Sequence, residues 1–269
     1  MLSTILRYMQ FSKAEVMISQ KYKLSKMLLF LVDFMFIQIQ IQIWVAIYKE
    51  SATGSLVGTS LSEIIYYVFV SIILRRLING FAFQFISDDF KSGRIVLSLL
   101  RPVSYPLYLF FRSLGMVFVN IMYVVLPLFV LVYCFYSDLF KSAFVPVHII
   151  LVVFVFAYLI SFLIDFMFGL ITFFTQNSFG LVRIKSVIER LFSGLLAPLY
   201  FFPDWFQNVC DFMPFKYVYY FPVILISKNV DSAFVYNGIM FQAMWLLVLF
   251  FIFLIFWNYS IKRITSFGG

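Results

Sequence analysis

Charge is scarce in this sequence. Only 12% of its 269 residues are Asp, Glu, Lys or Arg, and 64% are apolar. A soluble domain is about a quarter charged, so no soluble fold hides this much apolar surface and the solvent must be lipid. Histidine occurs once, at His148, which excludes HExxH and any multi-histidine metal site. The two cysteines, Cys134 and Cys210, form neither a CxxC pair nor a zinc spacing. There is no GxxxxGK[ST], no GxSxG and no carboxylate–histidine constellation. No catalytic residue, no metal site and no cofactor is therefore expected on this chain, and energy for active work must come from another. Basic residues outnumber acidic ones, 20 to 12. They lie between apolar runs and form no single face, so nucleic acid is not an expected partner.

Long apolar runs fill the space left by those absences. A helix needs about 20 such residues to cross the hydrocarbon. Six segments qualify: Met27–Tyr48, Ser60–Ile86, Pro106–Cys134, Phe144–Phe174, Val187–Phe202 and Tyr236–Trp257. The expected fold is thus an all-α integral membrane protein with six spans, forming one domain over residues 1–269. The fifth span is the shortest and contains Pro198. The first run lacks a small-residue cleavage site and is expected to stay as a span. Sixteen Lys and Arg fall on the side of the N-terminal arm, the second and fourth loops and the tail. Lys49, Lys141, Lys216 and Lys228 fall on the other. That asymmetry predicts cytoplasmic termini.

Residues 1–26 precede the first span. Leu2, Ile5, Leu6, Met9, Val16 and Met17 recur there at helical spacing among Arg7, Lys13 and Glu15. This predicts an amphipathic helix on the inner interface, in contact with membrane lipids. The loop Ser87–Tyr105 reads SDDFKSGRIVLSLLRPVSY. Ser87 or Asp88 suits a helix cap, Gly93 a stop, and Pro102 a barrier to continuation. The stretch Pro203–Lys228 is too apolar for a solvated loop and too broken, by Pro203, Pro214 and Pro222, for a span. Short re-entrant or interfacial helices on the outer side are expected there. Gly54 and Gly58 form a GxxxG, but outside any span, where a helix-dimer role is not expected.

Charges within spans are costly and each needs a reason. Asp33, Arg75, Arg76, Arg112 and Asp165 are those charges. Asp33 and Asp165 fall at depths where Arg75, Arg76 or Arg112 can pair with them. Ion pairing, a substrate or gating role, and a proton relay all remain open from the residues alone. Trp44, Tyr48, Tyr133, Tyr136, Trp205, Trp257 and Tyr259 are most simply interface-belt aromatics. His148 is expected at the outer interface, and Cys134 and Cys210 are both on the outer side.

Several motifs together carry a resemblance. They are KYK at 21–23, IWVAIY at 43–48, GTSLSEIIYYVFVSIILR at 58–75, ISDDFKSGRIVLSLLRPVSYPLYLFFRSLG at 86–115 and LFSGLLAPLYFFPDWFQNVCDFMPFKYVYYFPV at 191–223. In this order they resemble ABC-2-type permeases, in the branch of six-span bacterial ABC-2 family transporter proteins. Asp33, where that family is usually apolar, and Ser227, where it commonly has glycine, are departures. The resemblance implies a non-catalytic permease that pairs with a second permease and docks on a separate ABC ATPase, which binds ATP and Mg. It implies a coupling helix carrying Asp88, Asp89, Phe90, Lys91, Gly93, Arg94, Arg101 and Pro102. A second, smaller contact would include Arg183 and Lys185. Pro203, Trp205, Pro214, Phe215, Tyr219 and Pro222 would shape the outer re-entrant region. An exporter of an amphipathic or hydrophobic molecule is the leading expectation. An ion- or proton-coupled transporter and a polytopic lipid-acting enzyme are the other two.

Overall fold

The computed structural model describes residues 2–50, 56–135, 145–175, 178–228 and 230–267. Among them all regular structure is helical. Tyr136, Lys141, Phe144 and Gly54 lie outside the described residues. The helices are α1 (Leu2–Gln20), α2 (Lys23–Glu50), α3 (Leu61–Ile78), α4 (Ala82–Lys91), α5 (Arg94–Leu99), α6 (Tyr105–Asn120) and α7 (Leu126–Phe135). They continue with α8 (Val147–Thr175), α9 (Ser178–Phe192), α10 (Asp204–Asp211), α11 (Pro214–Val218), α12 (Tyr220–Ser227) and α13 (Ser232–Phe267).

Four helical stretches are long and apolar enough to cross a membrane: α2, the joined α6–α7, α8 and α13. A π-helical turn, Ile121–Val125, joins α6 to α7. The pair of Asp204–Asp211 with Pro214–Ser227, bent by 77°, would count as a fifth. On α2 the buried positions are Asp33, Ile37, Ile41, Trp44 and Tyr48. Their spacing of three and four puts them on one stripe, which packs against α3. The main core lies where α3, α4, α6, α8, α12 and α13 meet, around Leu74, Ile86, Leu109, Phe166 and Leu170. Phe166 sits edge-on to Phe253, with ring centroids 5.1 Å apart.

Two predicted spans are corrected. The run Ser60–Ile86 is not one helix: α3 ends at Ile78 and Ala82–Ile86 belong to α4. Gly80 lies so close to α8 that a Cβ on it would come within 2.6 Å of the Phe162 Cα. Phe81 then takes a left-handed conformation, φ 54, which an α-helix cannot continue through. The run Val187–Phe202 is not a continuous helix either. α9 starts earlier, at Ser178, and stops at Phe192. Gly194 turns the chain at φ 73, where glycine carries no Cβ penalty. The Tyr67 hydroxyl donates to its carbonyl at 2.8 Å and holds the turn.

The N-terminal arm is helical as its spacing predicts, and one of its faces packs against α6. Tyr8, Glu15 and Ser19 are buried, while Ile5, Leu6, Met9 and Met17 are exposed. Against α6, Ser12 donates to the Phe111 carbonyl and the Tyr8 hydroxyl accepts from the Ser104 N–H at 2.9 Å. Three belt aromatics also move inward. Trp44 and Tyr48 are buried, Trp44 against Phe201 at 5.2 Å, and Trp257 stacks on Tyr105 at 6.0 Å. Tyr133, Trp205 and Tyr259 are exposed, as is His148. Both thiols are free, Cys134 exposed and Cys210 buried.

Candidate functional site

The stretch between α3 and α6 folds as two short helices. α4 begins at Ala82, so Ser87 and Asp88 sit inside it and cap nothing. Gly93, at φ 67, links α4 to α5, and Pro102 lies between α5 and α6. The hairpin is fastened from behind. Asp89 is buried and accepts from the Tyr105 hydroxyl at 3.2 Å. Phe90 packs on Phe173 of α8, with centroids 5.5 Å apart. The other side is open: Asp88, Lys91, Gly93, Arg94, Arg101 and Pro102 are exposed. Leu97 and Leu100 stand exposed among them, at 64% and 76%. The hairpin thus has a fixed back and a mixed charged and apolar outer face.

Arg112 of α6 lies directly behind that hairpin. Its guanidinium donates to Glu15 of α1 at 2.7 Å, stands 4.0 Å from Asp89 and covers the Phe85 ring at 3.9 Å. One cation thus ties α1, α4 and α6 together.

Asp33 of α2 takes a bidentate pair from Arg76 of α3, at 2.5 and 2.7 Å. Asn120 of α6 donates to the Arg76 carbonyl at 3.1 Å, fixing the turn that carries the guanidinium. Forked geometry of this kind gives charge-assisted bonds of above-average strength. A double-mutant cycle with Asp33→Asn and Arg76→Gln is expected to give a coupling energy of about 2 kcal/mol. Thermal or denaturant unfolding in one detergent measures it. Additive losses would remove the pair from the account of stability.

Asp165 of α8 pairs with none of the arginines that its depth suggests. Lys185 of α9 reaches it at 2.5 Å and also holds Glu189 at 2.6 Å. Lys185 is buried, which takes it out of the expected second docking contact. Arg183 stays exposed, with its guanidinium 5.2 Å from the Phe179 ring centre. Glu15 and Glu189 were not among the expected site residues. The signal for Glu189 was its place four residues beyond Lys185 on one helix face.

A cavity of about 430 Å³ opens beside this triad. Arg75 and Asn79 of α3, Gln84 and Ser87 of α4, and Glu189 and Arg190 of α9 line it, with Tyr219 at one wall. Further along the chain, Pro203 precedes α10, Trp205 is exposed, and Pro214 opens α11. Phe215 is half-buried, Tyr219 is buried at the break between α11 and α12, and Pro222 is buried on α12. The Tyr217 carbonyl accepts from Gln242 of α13 at 2.9 Å, and the same amide reaches the Val153 carbonyl at 3.2 Å. This irregular segment is therefore clamped between α8 and α13. Among the described residues, no three His, Cys, Asp or Glu side chains cluster as metal ligands.

Long apolar helices, ion pairs buried between them and a backed surface hairpin define a multi-pass membrane protein. Residues 34–268 match the family described as ABC-2 family transporter protein, and the chain belongs to that family. Its members are membrane subunits of transporters whose ATPase is a separate subunit. No curated protein matches the chain.

Proposed function

We propose that this chain is one of two permease halves of an ATP-driven exporter in the plasma membrane, with both termini in the cytoplasm. The α4–Gly93–α5 hairpin is its coupling helix and docks on a separate ATPase, which carries ATP and Mg. One observation supports this most. Asp89 and Phe90 fasten the hairpin to the spans, while Asp88, Lys91, Arg94 and Arg101 face outward. Force applied to that outer face reaches α6 and α8 without passing through a flexible loop. Arg183 is the smaller second contact.

Six crossings complete the reading, in a single domain over residues 1–269. They are the four long helices, α3, and α9 with the bent α10–α12 segment beyond it. α1 lies on the inner interface with Ile5, Leu6, Met9 and Met17 toward lipid. A second, different permease completes the pathway. The substrate is amphipathic or hydrophobic: a peptide, a drug or a lipid-like molecule. ATP favours one of two pathway orientations by a few kcal/mol, as any such switch requires.

The test is charge reversal on the outer face. Lys91→Glu with Arg94→Glu is expected to cut co-purification of the ATPase by about tenfold or more, since like charges across an interface repel. The unfolding midpoint of the permease should stay put, because both side chains are exposed. Full ATPase capture by the variant, or transport by the wild-type chain with no ATPase present, would overturn the reading.

A further inference from the structure

We infer that the cavity between α3, α4 and α9 binds the anionic head of an amphiphile, a phosphate or carboxylate on an apolar tail. This rests on the permease reading, since it names the class of molecule that the permease takes.

The charge balance of the cavity points to an anion. Arg75 and Arg190 both line it. Among the described residues neither has a carboxylate within 4.0 Å, whereas Arg76, Arg112 and Lys185 each do. Two guanidiniums thus share one lining. The carboxylates at the floor offset them only in part, because Lys185 already holds Asp165 and Glu189 at 2.5 and 2.6 Å. That triad carries one net negative charge and the arginines two positive. Asp88 and Lys91, also on the lining, cancel. A net positive cavity remains, and one monoanion neutralises it.

Chemistry and size agree with the charge. A guanidinium offers a planar fork of donors that fits a phosphate or carboxylate edge. Asn79 and Tyr219 add uncharged polar groups, and Phe81, Phe83, Val182 and Leu195 give the same cavity an apolar wall. Its volume of about 430 Å³ is in the range of small-molecule sites. A bare inorganic anion would use the arginines and leave that wall unused. An amphiphile uses both.

The experiment is calorimetric titration of the full chain in phosphatidylcholine nanodiscs, without ATPase. The probes are dodecyl phosphate, dodecyltrimethylammonium and inorganic phosphate. Dodecyl phosphate is expected to bind saturably and at least tenfold more tightly than inorganic phosphate, and dodecyltrimethylammonium not to bind. Each of Arg75→Gln and Arg190→Gln should weaken dodecyl phosphate about tenfold, from the loss of one charged hydrogen-bonding group. The double variant should weaken it about a hundredfold. Arg75→Lys with Arg190→Lys should recover part of the affinity, which separates lost charge from lost folding. Lys49→Gln, exposed and outside the cavity, should change nothing.

Equal affinity of wild type and double variant for dodecyl phosphate would overturn the inference. So would inorganic phosphate binding as tightly as dodecyl phosphate. A double variant that loses ATPase capture but keeps dodecyl phosphate would make the cavity a partner contact and overturn it too. ATPase capture by the wild-type chain is scored separately. If the wild type fails to capture ATPase yet binds dodecyl phosphate through the arginines, the proposed function falls and the anion site stands.

Discussion

Lys185→Met is expected to destabilise the helix bundle by about 3–5 kcal/mol, the cost of leaving a buried charge without its partner. The ammonium lies between Asp165 and Glu189, at 2.5 and 2.6 Å. The Asp165 side chain is 3% exposed and that of Glu189 16%. Removing the cation leaves two carboxylates facing each other with little water to screen them. Asp165→Asn is a much milder change, because Lys185 then keeps Glu189 and forms a neutral pair. It should cost about 1–2 kcal/mol, the scale of a weakened hydrogen bond. Adding Asp165→Asn to Lys185→Met should recover at least half of the loss. Denaturant or thermal unfolding of the three variants in one detergent measures this ordering. Equal small losses for Lys185→Met and Asp165→Asn would show that the triad does not hold α9 on α8.

The second large effect belongs to Arg112. Arg112→Gln removes the countercharge of Glu15, whose side chain is 10% exposed, and of Asp89, at 5%. It also removes the cation over the Phe85 ring. A loss of about 3 kcal/mol is expected, chiefly from the uncompensated Glu15, since Asp89 keeps Arg94 at 4.0 Å. The loss should be local as well as global. Amides of α1 and of the α4–α5 hairpin should exchange hydrogen faster, while those of α8 and α13 stay protected. Arg112→Lys should restore the charge but not the flat stacking surface, and so recover only part. Uniform loosening of all helices in Arg112→Gln would deny Arg112 its place as the local tie.

The long spans were legible in the sequence because their signal is a simple one. α2, α6–α7, α8 and α13 are unbroken apolar runs, and lipid leaves such runs no alternative to a helix. The two breaks were not legible, because their causes are tertiary. Nothing local marks Phe81 for a left-handed backbone; it follows Gly80, where α8 comes close. The start of α9 was hidden by Arg183, Lys185, Glu189 and Arg190, which lower its apolar character. Burial of Lys185 between two carboxylates is what lets that charged stretch pack on α8. Aromatics misled for a related reason. Composition places Trp and Tyr near an interface, but it cannot say that Trp44 and Tyr48 turn toward α3 instead of lipid. In the loop 87–105 the residue types were readable and their division was not. Asp88 and Asp89 are adjacent, yet one faces out and the other anchors the hairpin, and only the helix phase of α4 separates them.

The last helix is also a ruler. α13 runs unbroken for 36 residues, about 54 Å at the α-helical rise. The hydrocarbon layer is only about 30 Å thick, so even an upright rod overshoots it by more than 20 Å. Its first turn is fixed by the Asp231 carboxylate, which accepts from the Phe234 N–H at 2.9 Å. Near the other end Tyr259 lies flat against Phe174, the rings 5.7 Å apart. α8 finishes one residue later, at Thr175, while α13 continues two more turns, to Phe267. Those turns extend past the end of α8, on the side where Trp257 meets Tyr105.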